Sequence, residues 1–247
     1  MAEVVLPQAF DLGAFSRQLR RRKDPDCTRV AGALQAAVDA CSAHADLVMT
    51  HNLIVNLARD DDLYKSHPAK ALEKDVRGAA LSSAILMYVR ATESGNARPG
   101  LQIRQKLLPE EQELHRELCD LRKKAVAHFD RDKVVNGRAW ADETIVLTDD
   151  GVLRVPIRRI IGQTLLEQGF YNLVTKALAL ADTMRADRCA KARKMLFDLI
   201  EIRPEFAPEL RKHRFDAFAF FGNKETAFDF LTTGEIITRP GRHIEYD

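Results

Sequence analysis

Residues 109–130 read PEEQELHRELCDLRKKAVAHFD, and the spacing of their apolar members decides how the rest of the chain folds around them. Leu114, Leu118, Leu121, Ala125 and Phe129 recur at steps of three and four, the repeat of one face of an α-helix. Pro109 suits the first turn, where the backbone N–H would have no helical partner in any case. Glu110, Glu111 and Glu113 complement the positive end of the helix dipole. The far end of the same helix carries Arg122, Lys123, Lys124 and His128. A cation that holds phosphate and a group that moves a proton near neutral pH therefore sit on its last two turns.

Upstream, Val30, Leu34, Val38, Cys41, Ala45 and Val48 follow Thr28, a good N-capping residue type, and predict a long first helix. Asp60-Asp61-Asp62 and His67-Pro68 mark its break. Leu72, Val76, Ala80, Ala84 and Met87 predict a second helix that is apolar on nearly all sides and so belongs at the centre of a bundle. Residues 94–100, SGNARPG, read as a loop. Downstream, Thr144 to Leu147 and Val152 to Val155 flank a turn ending in Asp150-Gly151, the pattern of a β-hairpin at about 143–156. A final long helix carries Ile161, Leu165, Phe170, Leu173, Ala177 and Met184.

The expected class is thus mainly all-α, an up-and-down helical bundle with one inserted hairpin and a C-terminal extension. Residues 1–27 form an arm or short helix, 28–186 the bundle, and 187–247 a helical and irregular extension packed on it. Arg188, Lys191, Arg193 and Lys194 mark the composition shift at its start, and Thr233 to Asp247 show little period. Arg20 to Lys23 and Arg188 to Lys194 read as solvated helix faces, and Phe215, Phe218, Phe220 and Phe221 as the anchor of the tail.

Composition narrows the function. The 247 residues are 46% apolar, enough for a sizeable core, and 38 Lys and Arg against 36 Asp and Glu leave a net charge of +2. Such a balance argues against nonspecific binding to polyanions over the whole surface, so any basic site is local. Cys27, Cys41, Cys119 and Cys189 form no CxxC pair and no secretory signal precedes them, which predicts reduced thiols in the cytoplasm. The most apolar window, Ala79 to Val89, is about half the length needed to cross a bilayer, so no membrane partner is expected. No P-loop, Rossmann glycine pattern, HExxH or GxSxG occurs.

His115 and Cys119 are four apart, a spacing two metal ligands can use, but no second pair supports them. The expectation is therefore no metal and no other cofactor, with His115 exposed and Cys119 near the core. His44 and His51 read as surface or packing residues. On the second helix, Asp75, Arg77, Tyr88, Arg90 and Glu93 form a polar rim. They either pair between helices or line one cleft with Arg122, Arg77 and Tyr88 then adding RNA contacts and Tyr88 a stacking surface.

A bundle whose third long helix ends in an arginine, a short spacer and an alanine-histidine pair resembles the HEPN superfamily. Arg122 and His128 match its R-x(4-6)-H signature with a spacer of five, and the flanking Asp120-Leu121 and Ala127 are similar to the branch linked to abortive phage infection. The resemblance covers roughly residues 28–186. It implies an HEPN-like four- or five-helix bundle that dimerises, and a metal-independent endoribonuclease of a toxin or phage-defence system with a cognate antitoxin as partner. Lys123 stands where active members usually carry an uncharged polar or acidic residue. That departure implies the alternative, a non-catalytic module binding RNA or protein.

In a regular helix six residues advance about 9 Å and roughly 600°, which leaves Arg122 and His128 about 120° apart in projection. A two-fold homodimer that packs these helices together supplies each cleft with two of each residue. There His128, an imidazole with an ordinary pKa of about 6.5, takes the proton of a ribose 2′-hydroxyl. Arg122 stabilises the charge on the phosphate, with Lys123 and Lys124 adding attraction.

Overall fold

The structure, a computed structural model, describes residues 8–64, 71–93, 95, 99–123 and 168–233, with the strand segments between 134 and 159; for 58–64, 71–77, 168 and the strands it describes backbone alone. The class is all-α. Among the described residues the elements are α1 (Leu12–Arg21), α2 (Pro25–Tyr64), α3 (Ala71–Thr92), a short 3-10 turn (Ile103–Lys106), α4 (Pro109–Leu121), α5 (Gln168–Ile202), α6 (Phe206–Arg211), α7 (Ala217–Phe221) and α8 (Lys224–Thr233). No helix among the described residues is long and apolar enough to cross a membrane.

Two compact units divide the chain, Ala37–Cys189 and one made of both ends, Met1–Ala36 with Ala190–Asp247. The sequence partition at 27 and 187 treats those ends as separate pieces, whereas they share a unit. In it, Phe15 packs edge-on against Phe206 at 6.4 Å, both fully buried. The Asp11 N–H donates to the His213 carbonyl at 2.8 Å and the Phe215 N–H to the Ala9 carbonyl at 3.0 Å. Glu209 accepts from Gln18 and Arg22. The expected phenylalanine anchor is mostly a cluster of its own: Phe215, Phe220, Phe221 and Phe230 stack on one another, and Phe218 and Phe220 are exposed. Of the C-terminal phenylalanines, Phe206 is fully buried, beside Phe15.

The core of the other unit is built by α2, α3, α4 and α5. Helix α2 starts three residues before the predicted cap, because Asp24 accepts the Cys27 N–H at 2.9 Å and Pro25 occupies the first helical position. It also runs through Asp60 to Asp62, so that acidic run ends no helix. The predicted stripe holds only at Val30 and Leu34. Beyond them the buried seam passes through Ala40, Ala43, Leu47, Thr50, Ile54 and Leu57, leaving Val38 and Cys41 exposed. Alanine lets helices approach closely, and a search for bulky apolar residues passes over it.

Helix α3 buries Leu81, Ala84, Ile85, Tyr88, Val89 and Ala91, and leaves Ala79 and Leu86 exposed; of its predicted stripe Ala84 is buried, Ala80 and Met87 are half-buried, and the side chains of Leu72 and Val76 are not among those described. Arg90 reaches α2 and forms two hydrogen bonds to Asp46, one of 2.8 Å from Nε to Oδ2. The interhelical ion pair is therefore the outcome at Arg90. On α5, Phe170, Leu173 and Ala177 are buried and Met184 packs against the core. Ile161 and Leu165, predicted for the same stripe, lie outside the described residues. The composition shift at Asp187 is no helix boundary: α5 continues to Ile202, with Ala192, Leu196 and Leu199 inward and Lys191, Arg193 and Lys194 outward.

The predicted hairpin is present and longer than its sequence signal. Val146 pairs with Arg154 and Leu147 with Leu153, and the same antiparallel register carries Ala141 to Arg159 through Glu143 to Ile157. A second pairing, Val134–Val135 with Arg138–Ala139, was not predicted, although the sequence between these strands is Asn136-Gly137, the strongest short hairpin signal.

Replacing Arg90 with Ala strips two charge-assisted bonds from a carboxylate whose side chain is 8% exposed. The expected cost is about 1–3 kcal/mol, read as a lower urea midpoint at unchanged slope.

Candidate functional site

Helix α4 carries the signature, and three features hold it in place. At its start the Leu108 N–H donates to the Glu111 carboxylate at 2.7 Å, which satisfies one of the unpaired groups at a helix N-terminus. Leucine has no acceptor to return, so this is half of a capping box. Glu111 also receives Lys176 of α5 at 2.5 Å. Inward, α4 presents His115, Leu118, Cys119 and Leu121 to the core. Of the predicted apolar stripe, Leu118 and Leu121 are buried and Leu114 half-buried, while Ala125 and Phe129 lie outside the described residues.

His115 departs from expectation. It is 2% exposed and lies deeper than Leu114, so the sequence reading of an exposed histidine is corrected. The polar partners that make burial tolerable come from α3 and the segment after it. Tyr88 Oη lies 2.9 Å from Nδ1 of His115, and Glu93 Oε1 lies 3.0 Å from Nε2. Both ring nitrogens therefore have a partner, as a buried imidazole requires. Glu93 is brought there by the return of the chain past the end of α3, where the Leu101 N–H donates to the Ala91 carbonyl at 3.0 Å. Gly100 makes that return possible, since a β-carbon at this position would fall 2.3 Å from the carbonyl carbon of Glu93.

Cys119 follows His115 by one helical turn, and its Sγ is 3.8 Å from Nε2. Burial, reinforced by the nearby Glu93 carboxylate, pushes its thiol up to about 12. Burial likewise holds the Tyr88 hydroxyl well above the usual phenol value, with Cys119 and Glu93 adding to the shift. Donor atoms of Glu93, His115 and Cys119 all lie within 4.8 Å of one another. The spacing of His115 and Cys119 was visible in the sequence; Glu93, the third member, was seen only as a rim residue of α3.

The residues predicted from the signature are distributed as follows. Leu121 is the last regular helical residue, and Arg122 and Lys123 continue in a wider π-helical turn with both side chains exposed. Lys124 and His128 lie outside the described residues. The backbone of Arg77 belongs to α3, but its side chain is not among those described. Tyr88 is fully buried, with its ring edge-on to Phe170 at 5.9 Å, so it presents no face to a base. Its role as a stacking surface is replaced by that of a hydrogen-bond partner for His115. No protein-family model, no curated protein and no solved structure matches the chain.

Tyr88→Phe keeps the ring and removes the hydroxyl, leaving one buried nitrogen of His115 unpaired. The expected loss is about 1–2 kcal/mol of stability with the helical circular dichroism retained. Thiol labelling tests the same burial: in the native protein at pH 8, Cys41 and Cys189, both exposed, react with Ellman's reagent first. Cys27 and Cys119, both buried and with thiols raised by that burial, react only on unfolding.

Proposed function

We propose that this chain is an HEPN-like RNA-directed protein of the cytoplasm, a homodimer acting as a metal-independent endoribonuclease in a toxin or phage-defence system. The observation that supports it is the end of α4, where Arg122 and Lys123 stand exposed directly beyond the buried Leu118 and Leu121. A cation whose base is fixed in a core, and whose head is free in water, is suited to hold a phosphate without a large ordering cost. Arg122 would serve as the phosphate and transition-state ligand, and His128, six residues on, as the proton carrier.

The reaction follows from those two groups. His128 accepts the proton of the ribose 2′-hydroxyl, the 2′-oxygen attacks the adjacent phosphorus, and the 5′-oxygen leaves with a proton returned to it. Arg122 balances the charge that builds on the non-bridging oxygens. The products are a 2′,3′-cyclic phosphate and a 5′-hydroxyl, and DNA is inert because it lacks the nucleophile. A cognate antitoxin would cover this cleft.

A second reading is favoured by Lys123, an exposed cation adjoining Arg122. Extra positive charge there strengthens binding of a polyanion without assisting proton transfer, as in a non-catalytic RNA- or protein-binding module.

The deciding assay incubates wild type, Arg122→Ala and His128→Ala with mixed-sequence RNA in EDTA, scoring cyclic-phosphate ends and checking that each protein stays helical and dimeric. Cleavage by wild type, with at least about a hundredfold loss in the His128 variant, is the expected result. Cleavage retained by His128→Ala removes the nuclease assignment. RNA binding without cleavage, weakened in Arg122→Ala, selects the binding module.

A further inference from the structure

We propose that Glu93, His115 and Cys119 form a binding site for one divalent transition-metal ion of the zinc class. The donor set is a carboxylate oxygen, an imidazole nitrogen and a sulfur, the combination that zinc and cobalt accept and that magnesium and calcium do not. The site shares no residue with Arg122 and His128, so it stands or falls separately from RNA cleavage.

The geometry is that of a ligand shell with one side open. Bonds of roughly 2.0–2.3 Å to zinc, arranged tetrahedrally, put neighbouring donors roughly 3.4–3.6 Å apart. Nε2 of His115 is 3.0 Å from Glu93 Oε1 and 3.8 Å from Cys119 Sγ, distances that bracket this range. The widest separation in the trio is no more than 4.8 Å. Glu93 is the solvent-facing member, its side chain 45% exposed, so a side-chain rotation there can close the shell while His115 and Cys119 hold their places on successive turns of α4. The exposed side of Glu93 is also where the ion and a fourth ligand, water or a small molecule, enter.

The outer contact is in place as well. A histidine that ligates a metal through one nitrogen nearly always has its other nitrogen fixed by a hydrogen bond, which sets the tautomer and the ring plane. Tyr88 Oη provides that contact at Nδ1, inside the core, and turns Nε2 toward Glu93 and Cys119. A hydroxyl both donates and accepts, so Tyr88 serves either tautomer. Between Nε2 and the carboxylate oxygen, two acceptors 3.0 Å apart, something positive must lie: a proton on Nε2, or the metal in its place.

Binding also displaces the Cys119 proton, because only the thiolate is a ligand. One ion binds, the S–H bond of Cys119 gives way to an S–metal bond and that proton leaves to solvent, while the His115 proton passes from Nε2 to Nδ1, where Tyr88 Oη accepts it. Cys119 is buried, so its neutral thiol packs in the core when no ion is bound.

The test is a cobalt(II) titration of the full chain, stripped of metal and kept reduced, with Cys41 and Cys189 replaced by Ser. Their sulfurs lie 3.7 Å apart and would otherwise offer a second thiol pair. One equivalent is expected to bind with a near-ultraviolet sulfur-to-cobalt charge-transfer band that zinc then bleaches, and Cys119→Ser is expected to abolish the band. A folded protein with no band in excess cobalt, or a band that survives Cys119→Ser, overturns the site. Should Cys119→Ser fail to fold, Glu93→Gln decides instead. A cobalt affinity lower by at least about tenfold supports the three-residue site, and an unchanged affinity overturns it.

Discussion

A hydrophobic core does not tolerate a bare imidazole, and His115 is inside one. Each of its ring nitrogens would cost about 1–3 kcal/mol if left unpaired, so the fold must deliver two polar partners to one spot. Tyr88 comes from near the C-terminal end of α3 and Glu93 from just beyond it, and both meet a single residue of α4. Hydrogen bonds are directional where apolar contacts are not. The two bonds therefore fix the sliding and rotation of α3 against α4 more sharply than Leu81, Ile85 and Leu118 can by themselves. Gly100 belongs to the same constraint, since the chain passes the Glu93 backbone too closely for any side chain at that position.

What the sequence reveals about this protein is what bulk and periodicity reveal. The start of α4 at Pro109, the inner face of α5 and the hairpin around residue 150 all follow from residue types whose preference is strong and local. The seam of α2 does not. After Leu34 the helix buries Ala40 and Ala43 and leaves Val38 exposed, and a reading by bulky apolar residues misses a face carried by alanine. Helix α5 misleads in the opposite way. The cluster Arg188 to Lys194 alters composition without altering phase, and Ala192, Leu196 and Leu199 continue the inward face beneath it.

The polar site was half legible for a physical reason. Spacing within one helix is written in the sequence, so His115 and Cys119 could be paired by inspection. Depth is not: whether a histidine beside an apolar stripe points in or out depends on partners supplied by another element. Here those partners are Tyr88 and Glu93, 27 and 22 residues away. Tyr88 shows the converse. A tyrosine at the border of an apolar helix suits a binding surface as well as a core, and its hydroxyl found a buried hydrogen-bond partner instead of a solvent-facing ligand.

The arginine end of α4 depends on the same packing. The projection of about 120° between Arg122 and His128 assumes a regular helix throughout, and the regular helix stops at Leu121. In a π-helical turn the hydrogen bond spans one more residue, so each residue turns the chain through a smaller angle. Arg122 itself keeps α-helical backbone angles, with its N–H bonded back to the Leu118 and Cys119 carbonyls, and Lys123 is the last described residue of the turn. The direction of Arg122 is therefore set from below, by Leu118 and Leu121 in the core and by His115 locked one turn deeper. The end of the regular helix falls at the residue step where the sequence places Arg122, the cation proposed to hold phosphate. Packing and chemistry thus meet at one residue step, between the last buried leucine and the first exposed arginine.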